Sequence, residues 1–437
     1  MKSFATLVKK TRQRFAVLTD VRKGKNRSYS MEDFAISAFS VFFTQSPSFL
    51  AYQKTMQQNK GRSNAQTLFQ IKDIPCDNQI RDCLDPVAPE EIFPLYDEVL
   101  EALREQGIVE TYRGLGGTIA IALDGTWYHS SEKIHCSNCS CIEHSSGKKT
   151  YYHSAITPVL VAPANPRAIA LRPEFIVPQD GHEKQDCEIA AAKRWLEKNS
   201  ARYAPLQVTL LGDDIYAHQP MCRRALLYGF HFLFVCKPES HTALYNWVNL
   251  LQPASGLSVL QQRVKNARGH WEHHTYRFAN EVPLAEGEDA LKVNWCEVTV
   301  TNSKGEVLYH NAFVTDWTIT QKNVQSIVAT ARARWKIENE NNNVLKTKGY
   351  HLEHNFGHGQ KHLSSLLAAM NILAFLYHTF LDFSDEKYRL IRATLPTRQT
   401  FFDDLRALTR YLLFADWDAL MDFMMRGLEI GPYAPKT

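Results

Sequence analysis

The chain has 437 residues, 44% apolar and 22% charged, the proportions of an ordinary globular protein long enough for two or three domains, which excludes a disordered chain. A formal net charge of +4 is too small to name a partner. Nine cysteines, an odd number with no apolar leader after Met1, point to thiols in a reducing compartment and away from a disulfide framework.

The first 27 residues carry Lys2, Lys9, Lys10, Arg12, Arg14, Arg22, Lys23, Lys25 and Arg27 against Asp20 alone. Such a block meets nucleic acid or forms a solvated tail. Residues 1–112 read as mostly helical. Met31 to Phe43 is apolar, and Ile92, Tyr96, Val99, Leu100 and Leu103 mark an amphipathic helix that Gly107 ends. Between them Gln57 to Ala65 reads as a loop, and Asp77 can cap a short helix from Asn78. A DNA-binding module and a helical scaffold with a basic edge both fit this region; it has no helix-turn-helix signature.

After Gly114, Gly116 and Gly117 the texture changes. Thr118 to Leu123 is a short, continuously apolar run of the kind found in a strand covered on both faces, and it delivers Asp124 at its end. Tyr151 to Val161 and Ala168 to Val177 are the next expected strands, and Cys187 to Lys198 a helix. Val208 to Leu211 is a second buried strand, ended by Gly212 and followed by Asp213 and Asp214. Ala217 to Tyr228 then reads as a helix and Phe230 to Cys236 as a strand. Strands followed by helices, with acidic strand ends, describe an α/β sheet whose polar groups collect along one rim. Either aspartate alone would more ordinarily serve a turn.

Residues 237–320 depart from that alternation and read as a β-rich insertion, with Leu291 to Thr301 and Val307 to Thr315 forming a hairpin around Ser303, Lys304 and Gly305. Arg263, Lys265, Arg268 and Arg277, with Trp271 and Tyr276 among them, fit a nucleic-acid path or a solvated face. The insertion is followed by a helix on which Val324, Ile327, Val328, Ala331 and Trp335 form one apolar stripe. Glu338 takes the next place on that stripe, and Glu340 lies about 200° around. A carboxylate at a core position needs a cation or a metal, and Arg334, one turn earlier, is the nearest partner. On a surface helix the two would be an ordinary ion pair.

Two strand-end aspartates and a helix-borne glutamate brought to one rim match the needs of two-metal phosphoryl transfer, with oxygen ligands that suit Mg2+ and allow Mn2+. Asp316, at another expected strand end, competes for a ligand place. The order ALDGT around Asp124, LLGDDIYA around Asp213, a β-rich interruption and RWKIE around Glu338 resembles the DDE transposases of bacterial insertion sequences, specifically the IS-four-type group, over residues 115–380. The resemblance implies an α/β fold with a ribonuclease-H-like catalytic core in residues 113–236, the insertion at 237–320, the Glu338 helix at 321–360, and helical N-terminal and C-terminal regions at 1–112 and 361–437. It makes Asp124, Asp213 and Glu338 the catalytic ligands of two Mg2+ ions. Asp213 is preferred to Asp214 because Tyr216 follows three residues later. Arg334 and Lys346 become phosphate contacts, although Ala331 and Leu345 stand where the family has a tyrosine and a lysine. Implied partners are double-stranded DNA, as terminal inverted repeats and target, and a second copy of the chain in the synaptic complex. The implied location is cytoplasmic and nucleoid-associated. A ribonuclease-H-like nuclease without joining activity and a non-catalytic DNA-binding remnant are the alternatives.

Cys136, Cys139, Cys141 and His144, with His135 beside them, form a second constellation, which reads as a Zn2+ site or as a reduced cysteine-rich loop. His351, His354, His358 and His362 are expected in a loop that contacts DNA or packs near the rim. Leu363 to Leu381 is apolar at helical spacing but interrupted by Ser364, Ser365, Asn371, His378 and Thr379, which predicts a buried helix and no membrane span.

Overall fold

The computed structural model describes residues 3–24, 27–57, 63–178, 187–251 and 256–434. It is a mixed α/β fold built on a nine-stranded sheet. In chain order the strands are β1 (Ile119–Ala122), β2 (Gly125–Ser131), β3 (Ser140–Glu143), β4 (Lys149–Ile156), β5 (Val159–Ala162), β6 (Asn165–Ala170), β7 (Glu174–Ile176), β8 (Val208–Gly212), β9 (His231–Val235), β10 (Ser258–Lys265), β11 (Trp271–Pro283), β12 (Lys292–Asn302) and β13 (Val307–Thr315). The large sheet runs β10-β11-β12-β13-β9-β8-β1-β5-β6. Its centre, β9-β8-β1, is parallel, and the pairs on either side are antiparallel. Every residue of β1 and β8 is buried, because a parallel strand at the middle of a sheet is covered on both faces.

Two expected strands are each split, and proline is the cause. Tyr151 to Val161 divides at Thr157 and Pro158 into β4 and β5, and Ala168 to Val177 divides before Pro173 into β6 and β7. Proline has no N–H to give to the ladder, so the chain turns there. The β4 half leaves the large sheet for a second one, in which β2, β3 and β7 all pair with it. Asp124 sits at the matching break between β1 and β2, where its carbonyl accepts the Thr157 N–H at 3.1 Å.

The expected β-rich insertion continues the core sheet. It opens with a helix, Thr242–Leu251, and its last strand pairs with β9 through Phe313 to Val235 and Thr315 to Leu233, so its four strands prolong the core sheet. The β12 to β13 hairpin turns through Gly305 at φ +85°, a conformation that favours glycine.

The two ends of the chain form one helical body. Helix Leu363–Ser384 packs against Met31–Phe43 and Phe93–Glu105. Thr11 Oγ1 meets Tyr377 Oη at 2.7 Å, and Tyr96 Oη donates to the Ala369 carbonyl. Among the described residues Leu363–Ser384 is the one helix long and apolar enough to cross a membrane, and 89% of its apolar window is buried inside the protein. The N-terminal basic block is largely spent internally. Lys10 pairs with Glu98 at 3.0 Å, Arg12 with Glu32 at 2.6 Å, and Arg22 and Arg27 both with Asp20. Lys2 and Lys25 lie outside the described residues, as do positions 58–62 of the expected 57–65 loop.

Candidate active site

Asp124 and Asp213 leave neighbouring parallel strands at the same end. The register sets Ala122 opposite Leu211, and the Leu123 N–H donates to the Leu211 carbonyl at 2.8 Å. Asp213 caps the short turn Asp214–Tyr216 by accepting the Ile215 N–H at 3.1 Å. Asp214 points into the protein, accepting the Lys237 N–H at 2.6 Å and lying 3.4 Å from His241 Nε2. Asp316 is at the other end of the sheet, where it accepts the Phe232 N–H at the start of β9 and bonds His231, so it is no competitor.

Glu338 does not occupy a core position. The α-helix Val324–Arg332 buries Val324, Ile327, Val328 and Ala331 as the stripe predicts, but Trp335 is exposed and Ile337 takes the core place. The reason lies in the hydrogen bonds: Ala333, Arg334, Lys336 and Ile337 each donate to the carbonyl three residues back. Such turns advance about 120° per residue where an α-helix advances about 100°, so the buried face is reached nearly one residue earlier, at Ile337 in place of Glu338. The chain then opens into a π-helical turn, Ile337–Asn342, which carries Glu338 at its edge with half of its side chain exposed. π-Helical turns of this kind recur at functional sites.

Arg334 pairs with Glu338 at 3.1 Å. The same guanidinium opposes the upward pKa shifts of Asp124, Asp213 and a further carboxylate, Glu188, and Lys237 also opposes that of Asp213, so Arg334 is the cation common to four acids. Burial, and after it the nearby Glu188 carboxylate, push Asp124 up to about 7. Asp213 and Glu188 are raised by burial as well. Asn342, at the end of the π-helical turn, donates to Asp124 Oδ2 at 3.0 Å and accepts the Thr157 hydroxyl at 2.7 Å. The Glu338 segment and the Asp124 hinge are thereby joined. Lys346 is held by Glu353 at 2.8 Å.

Glu188 escaped the sequence reading. It opens the helix Glu188–Tyr203, where an acid ordinarily complements the helix dipole, and nothing local separates it from that role. Its carboxylate accepts the Gly125 N–H at 3.1 Å and the Tyr216 hydroxyl at 2.6 Å. A Cβ on Gly125 would lie 2.3 Å from Glu188 Oε2, and one on Gly212 would lie 2.8 Å from the Tyr216 ring. The glycines beside both aspartates are therefore close-approach residues, which is the one signal in the sequence that bore on Glu188.

The structure brings Asp124, Asp213 and Glu338 to one rim, but their oxygens do not close into a shared cage. Among the described residues, the set of ligand atoms that does so is Cys136, Cys139, His153 and His358, all within 4.8 Å of one another. Of the expected zinc ligands, Cys136 and Cys139 belong to this set, and Cys141 and His144 do not. Cys141 is drawn into β3 opposite Tyr151, and His144 Nε2 bonds the Thr150 hydroxyl at 2.9 Å. The basic and aromatic residues of the insertion lie at the far edge of the sheet, Arg263 and Lys265 on β10, Trp271, Tyr276 and Arg277 on β11, and Arg268 in the turn between them. There the Arg263 guanidinium lies 4.4 Å from the Trp271 ring centroid and Arg277 pairs with Glu297 at 2.9 Å. No protein-family model matches this chain, and no curated protein matches it.

Proposed function

We propose that this protein is a DNA transposase of the DDE type, which cuts a phosphodiester at the ends of its element and joins the freed end to target DNA. The observation that carries the reading is the rim itself: Asp124 and Asp213 at the ends of adjacent parallel strands, with Arg334 and Glu338 set over them. The order β6-β5-β1-β8-β9, an antiparallel meander continued by two strands parallel to its first, supports a ribonuclease-H-like core.

The donor set fits hard divalent cations. Four acids share the Arg334 guanidinium, with Lys237 reaching Asp213 as well, and burial raises Asp124, Asp213 and Glu188, an excess of negative charge that a bound cation would relieve. Asp124, Asp213 and Glu338 would hold two Mg2+ or Mn2+ ions, which when bound activate the attacking oxygen and stabilise the leaving one. The residues around them position these ligands. Glu188 pins the hinge at Gly125, Asn342 orients the Asp124 carboxylate, and Arg334 holds Glu338 while offering a guanidinium to a phosphate. In the first step a water oxygen bonds to phosphorus and the 3′-oxygen leaves with a proton. In the second the oxygen of that 3′-hydroxyl bonds in line to a target phosphorus and gives up its proton, and a target 3′-oxygen leaves and takes one up. Two ends must be held together, so the acting species is a homodimer on double-stranded DNA.

The test uses purified protein, Mn2+ and linear DNA carrying the sequences that flank its own coding region. Cuts at defined ends together with joined products are the expected result. Cut ends with no joined product support a nuclease, and binding without metal-dependent cleavage supports a non-catalytic DNA-binding protein.

A pH dependence follows from Asp124, whose pKa in the folded protein is about 7 against 3.8 for the free group. A raised acid contributes stability that is full below the free value and lost as pH rises through the folded one. The metal-free protein is thus expected to lose stability between about pH 4 and about pH 7 through this group. Added Mg2+ or Mn2+ restores it, raising the melting temperature at about pH 8 and leaving it nearly unchanged at about pH 5, where protons compete for the ligand. Equal shifts at both pH values would remove Asp124 from the metal site.

A further inference from the structure

The cluster of Cys136, Cys139, His153 and His358 is assembled from three distant parts of the chain. Cys136 and Cys139 flank a turn in the connection between β2 and β3, closed by the Cys139 N–H donating to the Cys136 carbonyl at 3.2 Å. His153 lies on β4, buried and stacked on Tyr128. His358 comes from the loop after the Glu338 segment, 219 residues beyond Cys139. The Sγ atoms are 3.9 Å apart, too far for a disulfide. His153 Nε2 lies 3.6 Å from Cys136 Sγ and 3.5 Å from Cys139 Sγ, and His358 Nε2 lies 3.5 Å from Cys139 Sγ.

These four distances match edges of a tetrahedron around a zinc ion, and the other two pairs, Cys136 with His358 and His153 with His358, lie within 4.8 Å. Zn–S bonds of about 2.3 Å and Zn–N bonds of about 2.0–2.1 Å place sulfurs about 3.8 Å apart and sulfur and nitrogen about 3.6 Å apart. Two thiolates and two imidazoles select zinc over the oxygen-seeking cations of the carboxylate rim. We infer that Cys136, Cys139, His153 and His358 bind one Zn2+ ion in a closed structural site, separate from the carboxylate site.

The position of the site defines its role. β2 begins at Gly125, beside Asp124, and runs into the connection that bears both cysteines; His358 follows Glu338 by twenty residues. A zinc ion therefore ties the small sheet, which starts at one carboxylate, to the chain that leaves another. The loop around His358 is already braced for this. Asn138, between the two cysteines, donates to the Lys361 carbonyl at 2.6 Å, and Asp85 accepts the N–H groups of Gln360, Lys361 and Leu363. Four protein ligands leave no open position, so the ion crosslinks and does not take part in chemistry.

The test is metal analysis of the full-length protein, purified with reduced thiols and no chelator. One zinc per chain is expected, with Cys136→Ser and His358→Ala each lowering zinc affinity by at least ~100-fold and Cys141→Ser and His144→Ala leaving it unchanged. Should the loss variants fail to fold, Co2+ exchanged into the wild-type chain supplies the readout: a tetrahedral spectrum with thiolate charge-transfer bands. Absence of zinc together with failure to take up Co2+ overturns the assignment. So does zinc retained by His358→Ala or lost from Cys141→Ser. None of these outcomes depends on whether the protein cuts DNA.

Discussion

Asp124→Asn is expected to lower metal-dependent DNA cleavage by roughly 10³-fold while leaving the metal-free protein at least as stable as the wild type. The two effects have one cause. Burial and the Glu188, Glu338 and Asp213 carboxylates all disfavour the charge on Asp124, which Arg334 offsets only in part. Asparagine has the same shape and can still accept the Asn342 N–H through its carbonyl oxygen, but it brings no charge. The repulsion therefore disappears above about pH 7, and with it the anion that, on the proposed function, would bind the cation. Cleavage of labelled DNA in Mn2+ and a thermal melt of the same preparation measure both. Cleavage within tenfold of wild type would remove Asp124 from the catalytic set, and a large fall in melting temperature would make its role structural.

The second large effect is expected at Lys336. Its ammonium is buried and donates to the carbonyls of Ala162, Pro163 and Asn165, at 2.5, 3.0 and 2.6 Å. These carbonyls belong to the turn from β5 to β6, so the side chain fastens the segment just before Glu338 to the edge of the large sheet. Methionine fills much the same volume and donates nothing. Lys336→Met is expected to cost about 3 kcal/mol of stability, since charge-assisted hydrogen bonds are worth about 1.5–3 kcal/mol each and their losses are not additive. It is also expected to reduce cleavage well below the melting point, because Glu338 is two residues away and loses its anchor. Denaturant titration and cleavage at low temperature separate the two. A loss under about 0.5 kcal/mol would mean that water serves the three carbonyls as well as the lysine does.

Much of the fold was legible in the chain. Continuous apolar runs marked β1 and β8, because a central parallel strand has no solvent face, and the acidic residues after them fell on one rim. Helical spacing with polar interruptions at Ser364, Ser365, Asn371, His378 and Thr379 marks Leu363 to Leu381 as a buried helix, and the helix Leu363–Ser384 is buried inside the protein. The Glu338 stripe holds through Ala331 and fails beyond it, where bonds to the third residue back replace bonds to the fourth, leaving Trp335 and Glu338 outward and bringing Ile337 inward. The insertion was recognised as β-rich, but its joining to β9 was invisible, because an alternating strand carries no mark of the strand it will pair with.

What the sequence determined by itself was local: which segments extend, which coil, and which acids stand at strand ends, since each follows from the burial of neighbouring side chains. What only the tertiary structure decided was which distant groups meet. Glu188 closes on Gly125 across 63 residues and His358 on Cys139 across 219. An acid at a helix start and a histidine in a loop look the same along the chain whether or not a partner awaits them. The difference is made by chain crossings and close-approach glycines, and those exist only once the sheets have formed.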